Sequence, residues 1–318
     1  GISGVPTDHP RFLGMQGMHG HYASSMAMHQ ADCIIALGVR FNDRVTGNRE
    51  RFATRSQIVH IDIDGAELSK NVSPAHALRG DLKLTLQKLL PLLEPKEHPK
   101  WQSAIDQLKN DERWSLDRRE GMTPRNVLLA LNRYTGGKLP VATDVGQHQM
   151  WAAQTCVFSE KRRFISSGGL GTMGFGMGAA MGAQLATGQR TVLVTGDGSF
   201  GMCLNELATA VHERIPLVIL LLNNGVLGMV RQWQTLFFDK HYSNTVLDRA
   251  TDFVALSKAF GADGVRVTDL DGLDSALSTA FKSDGPYLIE CIIDKDEFVL
   301  PMLPPGGSMD DIITKVGG

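Results

Sequence analysis

Two short motifs carry the residue types best suited to chemistry in this chain, Gly196-Asp197-Gly198-Ser199 and Asn223-Asn224-Gly225. Each motif follows an apolar run typical of a buried strand, and a helical stretch separates the two runs. A strand–helix–strand unit brings both carboxyl ends to the same sheet edge, where open α/β sheets bind ligands. The oxygens of Asp197 and Asn224 could hold Mg²⁺ there, and Gly198 lets the backbone approach a phosphate closely. The pattern therefore predicts a magnesium–diphosphate site.

A second pair of polar residues is expected at the same edge. Gln147 and His148 follow a predicted strand that ends at Asp144. Their amide and imidazole N–H groups can donate to diphosphate oxygens. A lone Gln-His pair is more often an ordinary surface feature, so the functional interpretation depends on this placement.

The glycine-rich run Gly169-Leu-Gly171-Thr-Met-Gly174 leaves a second interpretation open. It has the G-x-G-x-x-G spacing of a dinucleotide-binding turn, it follows a candidate strand at 164–166, and a helix follows it. Asp197 then lies close to where a Rossmann fold holds its ribose acid, so an NAD(P)-dependent dehydrogenase is the alternative. Against this alternative, the acid is embedded in a Gly-Asp-Gly-Ser turn, and neither Asn223-Asn224 nor residues 144–154 are accounted for.

The elements that must position these residues alternate between strands and helices over most of the chain. That alternation predicts an α/β fold with doubly wound parallel sheets. The expected domains are residues 1–95, a linker with a charged helix at 96–122, and residues 123–318. Predicted strands are 33–37 and 57–62 in the first domain and 139–143, 190–195, 215–222, 264–267 and 287–293 in the last. Predicted helices are 24–31, 82–93, 101–119, 124–135, 174–187, 203–213, 251–260 and 271–283.

The overall composition argues against several classes of function. Lysine and arginine (32) nearly balance aspartate and glutamate (34), for a net charge of −2, so neither nucleic acid nor a membrane surface is an expected partner. The four cysteines are scattered and form no Cys-x-x-Cys pair, which favours reduced thiols and a cytoplasmic location. The longest uncharged stretch, Phe164–Gly188, is too rich in glycine for a membrane helix.

Together with further motifs, these residues resemble the large, catalytic subunit of acetohydroxyacid synthase, also called acetolactate synthase, in the thiamine-diphosphate enzyme family. The resemblance extends along nearly the whole chain. Its motifs are Gly17–Gly20, Gly38–Gly47, Asp144–Gln154, Ser167–Gly174, Gly196–Ser199, Asn223–Gly225 and Leu227–Gln234. It implies a thiamine-diphosphate-binding domain of the pyrophosphate type, preceded by a partial flavin-binding, Rossmann-like domain.

For thiamine diphosphate and Mg²⁺, the resemblance implies a set of residues in the last domain. The backbone carbonyl of Val226 joins Asp197 and Asn224 as a metal ligand. The carbonyl of Gly171 meets the 4′-amine of the cofactor, and Met173 wedges the two cofactor rings into a bent shape. The other implied contacts to the cofactor are Gln147, His148, Gly196, Gly198, Ser199 and Met229.

The resemblance also implies FAD, with a largely structural role, and a substrate pocket. The implied FAD contacts are Met18, His19, Gly20, Gly38, Arg40, Asp62, Asp64 and Asp81. The implied pocket residues are Asp43, Arg44, Met229, Val230 and Trp233. Arg44 could meet a ketoacid carboxylate, and Trp233 would shape the pocket for the second ketoacid. The helical spacing of the apolar pocket residues also suits ordinary core packing.

The implied reaction is the condensation of pyruvate with a second 2-ketoacid, pyruvate or 2-ketobutyrate, with loss of CO₂, in valine, leucine and isoleucine biosynthesis. The implied assembly is a homodimer or tetramer with the active site at the subunit interface, which a small regulatory subunit can join. The glutamate that activates the cofactor in this family belongs to an N-terminal domain that matches no stretch of this chain. We therefore expect a C-terminal portion without catalytic residues of its own, inactive alone. A non-catalytic cofactor-binding fragment is the remaining alternative.

Overall fold

A computed structural model of the chain describes residues 1–111 and 119–316. These residues form two compact units. Among the described residues, the larger unit comprises 1–12 and 119–299, and the smaller unit comprises 13–111 and 300–316.

The two ends of the chain differ from the expected division, which groups residues 1–12 with 13–95 and residues 300–316 with 123–299. In the structure, residues 1–12 belong to the larger unit and residues 300–316 to the smaller unit. Near the N-terminus, the backbone N–H of Thr7 donates to the carbonyl of Phe158 (2.7 Å) in the larger unit. Near the C-terminus, the N–H of Leu303 donates to the carbonyl of Met18 (2.7 Å) in the smaller unit. A division based on sequence groups each segment with its neighbours along the chain, so it misses long-range contacts of this kind.

The smaller unit contains a three-stranded parallel sheet with the order β1-β2-β3. Its strands are β1 (Cys33–Leu37), β2 (Gln57–Asp62) and β3 (His76–Arg79), and its helices are α1 (Tyr22–Gln30), α2 (Asp43–Thr46), α3 (Leu82–Leu89) and α4 (Pro99–Asn110). The sequence predicts β1 and β2 but not β3, because His-Ala-Leu-Arg lacks an apolar run. Residues 112–118 of the predicted helix at 101–119 lie outside the described residues.

The larger unit contains a six-stranded parallel sheet with the order β5-β4-β6-β7-β9-β8. Its strands are β4 (Val141–Thr143), β5 (Phe164–Ser166), β6 (Thr191–Gly196), β7 (Leu217–Asn223), β8 (Asp263–Val267) and β9 (Tyr287–Ile292). Its helices are α5 (Pro124–Thr135), α6 (Gln147–Thr155), α7 (Gly176–Thr187), α8 (Asp197–Phe200), α9 (Glu206–His212), α10 (Gly228–Phe237), α11 (Phe253–Ala259) and α12 (Leu270–Ala280).

The central strands β6 and β7 are buried along nearly their whole length, because helices cover both faces of their sheet. Successive side chains of a strand point to opposite faces, so the strand residues divide between two apolar clusters. One cluster holds Val192, Val194, Val218 and Leu220, and the other holds Leu193, Leu217, Ile219 and Leu221. Each fully buried aliphatic side chain contributes about 1.5–3 kcal/mol relative to an exposed one. The predicted doubly wound parallel fold is confirmed.

Local signals explain some helix boundaries in the larger unit, but not all. α5 begins after Thr123, whose Oγ1 accepts from the N–H of Asn126 (3.2 Å), and it ends at Gly136 in the left-handed conformation (φ 54°). The sequence does not predict α6, which lacks an apolar stripe at helical spacing. Among the described helices, none is long and apolar enough to cross a membrane. The uncharged stretch at 164–188 contains β5 and α7 instead.

Candidate functional site

Asp197 and Asn224 lie at the carboxyl ends of two adjacent central strands of the larger unit. In the parallel register, Gly196 at the end of β6 pairs with Leu222 in β7. Asp197 then begins the short helix α8, and Asn224 directly follows β7. The backbone N–H of Gly225 donates to the Asp197 carboxylate, so this carboxylate contacts the loop that holds Asn224. The structure thus brings the two predicted metal ligands to one edge of the sheet.

The environment of Asp197 penalises its negative charge. The residue is only 4% exposed, and burial raises the pKa of its carboxyl to about 6. The backbone N–H of Gly198 and the guanidinium of Arg249 act in the opposite direction but do not offset the desolvation. A divalent cation next to this carboxylate would stabilise its charged form.

Asn224 is held on both sides of its amide group. Its Oδ1 accepts from the N–H of Val226 (3.2 Å), and its Nδ2 donates to Oε1 of Gln147 (3.4 Å). The Nε2 of Gln147 in turn donates to Oε1 of Gln232 (3.0 Å) and to the carbonyl of Glu297 (2.7 Å). Gln147 therefore orients Asn224 in this structure, and it could donate to a diphosphate only by releasing one of these two acceptors.

A buried carboxylate fixes the end of β7 just before Asn224. Glu290 in β9 is 1% exposed, and its Oε1 accepts from Nδ2 of Asn223 (2.7 Å). Its Oε2 accepts from Nε of Arg266 (2.7 Å) in β8. Glu290 belongs to none of the sequence motifs. The local signal for its role is an acid within the apolar run Tyr287–Ile292. A buried acid is costly unless it is paired, so an acid in such a run predicts a specific partner.

His148 is a buried, neutral imidazole at the start of α6. Burial lowers the pKa of its ring to about 4, although the ring donates to the backbone carbonyl of Asp144, which acts in the opposite direction. Its Nε2 is buried and has no hydrogen-bond partner among the described residues. A Cβ on Gly196 would lie 2.9 Å from Nδ1, so glycine is required where the ring meets the end of β6. A buried nitrogen without a partner marks a place for a polar ligand group.

The lowered pKa of His148 predicts a pH-dependent stability in the ligand-free protein. In the unfolded chain, His148 has the ordinary histidine pKa of about 6.5, so it is protonated at a higher pH than in the folded chain. The stability that the neutral ring provides above pH 6.5 is therefore lost as the pH falls toward 4. The loss amounts to at most about 1.4 kcal/mol per pH unit in this window. Urea unfolding at pH 7.5 and at pH 5.5 should therefore differ less in His148→Gln than in the wild type, by roughly 1 kcal/mol.

His212→Gln is the matched control for this experiment, because the His212 side chain is 84% exposed. It should retain the pH dependence of the wild type. Equal pH dependence in the wild type and in His148→Gln would contradict the prediction.

The glycine-rich run reaches the turn that holds Asp197. Gly171 and Gly174 have φ values of +65° and +89°, which other residues rarely adopt. Between them, Met173 extends its methyl group toward the turn, where a Cβ on Gly198 would lie 3.7 Å from it. Ser199, the next residue of the turn, donates from Oγ to the carbonyl of Val145 (2.6 Å). Met173 and Gly198 therefore meet at this turn. The cofactor contacts expected for Gly171, Met173, Gly198 and Ser199 stay predictions.

The dehydrogenase alternative meets an obstacle at the start of α7. A dinucleotide would place its pyrophosphate on the N–H groups of this helix terminus. The carboxylate of Asp144 already accepts from the N–H groups of Gly174 (2.9 Å) and Gly176 (3.0 Å) there. In addition, α7 connects β5 and β6, which are separated by β4 rather than adjacent as in the dinucleotide-binding unit. An anion in this position would repel a pyrophosphate.

Helix α10, which follows Asn224, lines a cavity of about 650 Å³. Trp233 packs edge-on against Phe237, with 5.4 Å between the ring centroids. The lining residues are Met229, Val230, Trp233, Gln234, Phe237, Phe238, Asp239 and His241. The three pocket residues that the sequence predicts on α10 thus share one apolar cavity.

In the smaller unit, several predicted flavin contacts share the carboxyl edge of the three-stranded sheet. Gly38 directly follows β1, Asp62 is the last residue of β2, and Asp81 is the second residue after β3. A Cβ on Gly38 would meet no atom within 4 Å, so there is open space at that strand end. Asp62 accepts from the N–H of Asp64 (2.9 Å), and Asp81 caps α3 by accepting from the N–H of Leu84 (2.9 Å).

The other predicted residues of the smaller unit fall into a buried group and an exposed group. Met18 and His19 are buried, next to a tight turn at Gly20. Arg40 is exposed, and Asp43 and Arg44 form an exposed ion pair (2.8 Å) with each other. The backbone carbonyl of Arg44 also accepts from the N–H of Met18 (2.6 Å).

The donors and acceptors around Asp197 suit a magnesium diphosphate. Residues 1–111 and 119–316 contain no group of three or more His, Cys, Asp or Glu side chains that could hold a metal. Mg²⁺ does not need one, since it usually takes one or two carboxylates and completes its shell with phosphate oxygens and water. The desolvated carboxylate of Asp197, the amide of Asn224 and the unpartnered nitrogen of His148 therefore fit a metal–diphosphate pair better than a metal alone.

Two stretches of the chain match known families. Residues 1–89 match the central domain of thiamine pyrophosphate enzymes, and residues 144–291 match the C-terminal TPP binding domain of these enzymes. The second match includes Asp144, His148, Asp197 and Asn224.

Individual relatives match along almost the whole chain. The acetolactate synthase isozyme 2 large subunit of Escherichia coli K12 is 44% identical over 319 residues, which cover 99% of this chain and 58% of that protein. The acetolactate synthase large subunit of Haemophilus influenzae is 41% identical, over 98% of this chain and 56% of that protein. The chloroplastic acetolactate synthase of Arabidopsis thaliana is 40% identical, over 100% of this chain and 50% of that protein. The chain thus spans about half the length of the curated relatives it matches.

Proposed function

Because this chain belongs to the thiamine pyrophosphate enzymes, as a homologue of acetolactate synthase large subunits, we propose that its protein is an acetolactate synthase. The reaction is the condensation of pyruvate with a second 2-ketoacid, pyruvate or 2-ketobutyrate, with loss of CO₂, in branched-chain amino-acid biosynthesis. One observation carries the proposal. Asp197 is a desolvated acid whose carboxylate contacts the loop of Asn224, at the strand ends where this fold binds ligands.

The residues around Asp197 take defined roles in this proposal. Asp197, Asn224 and the backbone carbonyl of Val226 hold Mg²⁺, and the metal holds the diphosphate. A phosphate oxygen next to His148 favours the protonated ring, which then donates from Nε2. When bound, thiamine diphosphate supplies the electron sink for decarboxylation. The protein supplies the binding and orientation.

The other residues of the site would contact the cofactor directly or orient a residue that does. Gly171 and Met173 face the rings of thiamine diphosphate, and Gly196, Gly198, Ser199 and Met229 complete its surroundings. Gln147 serves by orienting Asn224, as its contacts indicate. FAD, which the family membership implies, binds the smaller unit at the predicted contacts Met18, His19, Gly20, Gly38, Arg40, Asp62, Asp64 and Asp81.

The apolar cavity along α10 is proposed to receive the second ketoacid. Trp233 and Val230 would contact the alkyl group of that substrate, and an apolar pocket separates a methyl from an ethyl group by only about 1–3 kcal/mol. Asp43 and Arg44 are proposed for the substrate entrance, where the guanidinium would meet a carboxylate.

The same family membership also bears on the assembly and location of the protein. We propose a homodimer or tetramer with the active site at the subunit interface, joined by a regulatory subunit, and a cytoplasmic location. Two relatives are named as a large subunit, which supports an assembly with further chains. Plant relatives are named as chloroplastic, so the location varies among relatives.

Binding of thiamine diphosphate to this chain tests the proposal. Trp151 lies in α6, three residues after His148, and Trp233 lies in α10, nine residues after Asn224. Tryptophan fluorescence should therefore change when thiamine diphosphate and Mg²⁺ are added together, and EDTA should reverse the change. NADH should have no effect. Quenching by NADH, or no response to thiamine diphosphate with Mg²⁺, would count against the assigned site.

Turnover separates an enzyme from a binding module. A longer protein that joins this chain to the N-terminal domain of its family should form acetolactate from pyruvate, whereas the chain alone should bind the cofactor without turnover. Cofactor binding without acetolactate in the longer protein would favour a non-catalytic module.

A further inference from the structure

Asp144 is a fully buried acid that is not among the predicted ligands of the site. It follows β4 and is 0% exposed. Its Oδ1 accepts from the N–H groups of Val145 (2.8 Å) and Gly174 (2.9 Å), and its Oδ2 accepts from the N–H of Gly176 (3.0 Å). A carboxylate that accepts several backbone N–H groups at the start of a twelve-residue helix is stabilised by those bonds and by the helix dipole.

The two glycines that Asp144 binds mark the end of the glycine-rich run. Gly174 has a φ of +89°, and Gly176 begins α7. A Cβ on Gly176 would lie 2.9 Å from the backbone nitrogen of Asp144, so the loop and the end of β4 are in close contact. Glycine-rich backbone is conformationally free in the absence of such contacts. The carboxylate of Asp144 therefore links the end of the run to the end of β4.

Met173 is the residue next to this anchor. It directly precedes Gly174, and its Cε lies near the turn at Gly198, next to Asp197. Asp144 has a second contact through its backbone, because its carbonyl accepts from the ring of His148. One residue thus contacts both the loop that carries Met173 and the histidine proposed for the diphosphate.

We propose that Asp144 is a positioning residue, which holds Met173 against the metal-binding turn so that the site is preformed for thiamine diphosphate. The proposal rests on the proposed function of the same site. Asp144 would not touch the cofactor. Its contribution to affinity would come through the geometry of the glycine-rich run, and groups that orient primary ligands typically change affinity by about 10–100-fold when they are replaced.

The test replaces Asp144 by Asn, which keeps the size of the side chain but exchanges one acceptor for an N–H₂ group. Depending on the orientation of the amide, that group faces the N–H of Gly176 or those of Gly174 and Val145, so at least one hydrogen bond is lost. We expect the Kd for thiamine diphosphate at saturating Mg²⁺ to rise about 10–100-fold at a temperature where the variant is folded. Leu277→Ala is the control for general destabilisation, because Leu277 is a fully buried core residue of α12, a helix that holds none of the residues of the proposed site. It should leave this Kd unchanged.

A double-mutant cycle with Met173→Ala separates positioning from general destabilisation. If Asp144 acts through Met173, the effects of the two substitutions on the free energy of cofactor binding should be non-additive. The double variant should then have about the same Kd as the single variant that binds more weakly. Additive effects, or a Kd for Asp144→Asn within two-fold of the wild type, would overturn the proposal.

Amide hydrogen exchange provides a measurement that does not need the cofactor, and its first part needs only the wild type. The N–H groups of Gly174 and Gly176 should exchange slowly, and their exchange should accelerate in Asp144→Asn. Fast exchange of Gly174 in the wild type would overturn the positioning role even if Asp144→Asn does not fold. Failure of the wild type to bind thiamine diphosphate, with Gly174 still protected, would instead reject the proposed function.

Discussion

Replacing Asp197 by Asn should abolish the Mg²⁺-dependent binding of thiamine diphosphate and, at the same time, stabilise the ligand-free protein. The loss of binding follows because Asp197 is the single carboxylate proposed to hold the metal, and Mg²⁺ prefers charged oxygen ligands. We expect at least a ~100-fold rise in the Kd for the cofactor at saturating Mg²⁺. The gain in stability follows because burial makes the charged form of Asp197 unfavourable.

The size and pH dependence of that gain come from the pKa of Asp197. Folding raises the pKa from 3.8 to about 6, so the stability that the group provides at low pH is lost as the pH rises through 6. The full shift corresponds to about 3 kcal/mol at pH 8. Asparagine loses an acceptor for the backbone N–H groups at this turn, which offsets part of the gain. We therefore expect the substitution to stabilise the ligand-free protein by about 1–3 kcal/mol at pH 8 and by much less at pH 4.

Urea unfolding at pH 8 with EDTA measures the stability, and fluorescence titration with Mg²⁺ measures the binding. Asp263→Asn is the matched control, because Asp263 is an exposed acid at the amino end of β8, at the opposite edge of the sheet from the site. It should leave binding intact and change stability little. A destabilised Asp197→Asn variant that still binds the cofactor with wild-type affinity would contradict both parts of the prediction.

Replacing Gly228 by Ala should disrupt the arrangement of Gln147 and Asn224. A Cβ at this position would overlap Oε1 of Gln147 and lie 2.9 Å from Nδ2 of Asn224. Gln147 cannot simply move aside, because it is 4% exposed and donates to Gln232 and to the carbonyl of Glu297. We expect a destabilisation of about 1–3 kcal/mol from overpacking and a weakening of Mg²⁺-dependent cofactor binding by about 10–100-fold.

Gly182→Ala provides the matched control for this substitution. Gly182 lies in the interior of α7, and a Cβ there would meet no atom within 4 Å. Alanine is favoured over glycine in a helix by about 1 kcal/mol, so this variant should be slightly more stable and should bind the cofactor normally. Equal effects of the two substitutions on binding would show that the contact at Gly228 does not matter for the site.

The sequence alone determined the fold class, several strand ends and the family. Long apolar runs such as those of β6 and β7 have few alternatives to a buried strand, and the polar residues that directly follow them must lie at the carboxyl edge. The convergence of Asp197 and Asn224 could therefore be predicted from local patterns. Thr123 and Pro124 likewise located the start of α5, because capping depends on adjacent residues.

Only the tertiary structure decided how the site residues are held. The roles of Asp144, Glu290 and Gln147 depend on hydrogen bonds to partners that are distant in the sequence, and no local pattern encodes them. The same reason applies to the chain ends, which lie in different units from their sequence neighbours. Local propensity specifies which residues end a strand, whereas the desolvation that raises the pKa of Asp197 arises only when the surrounding elements have packed.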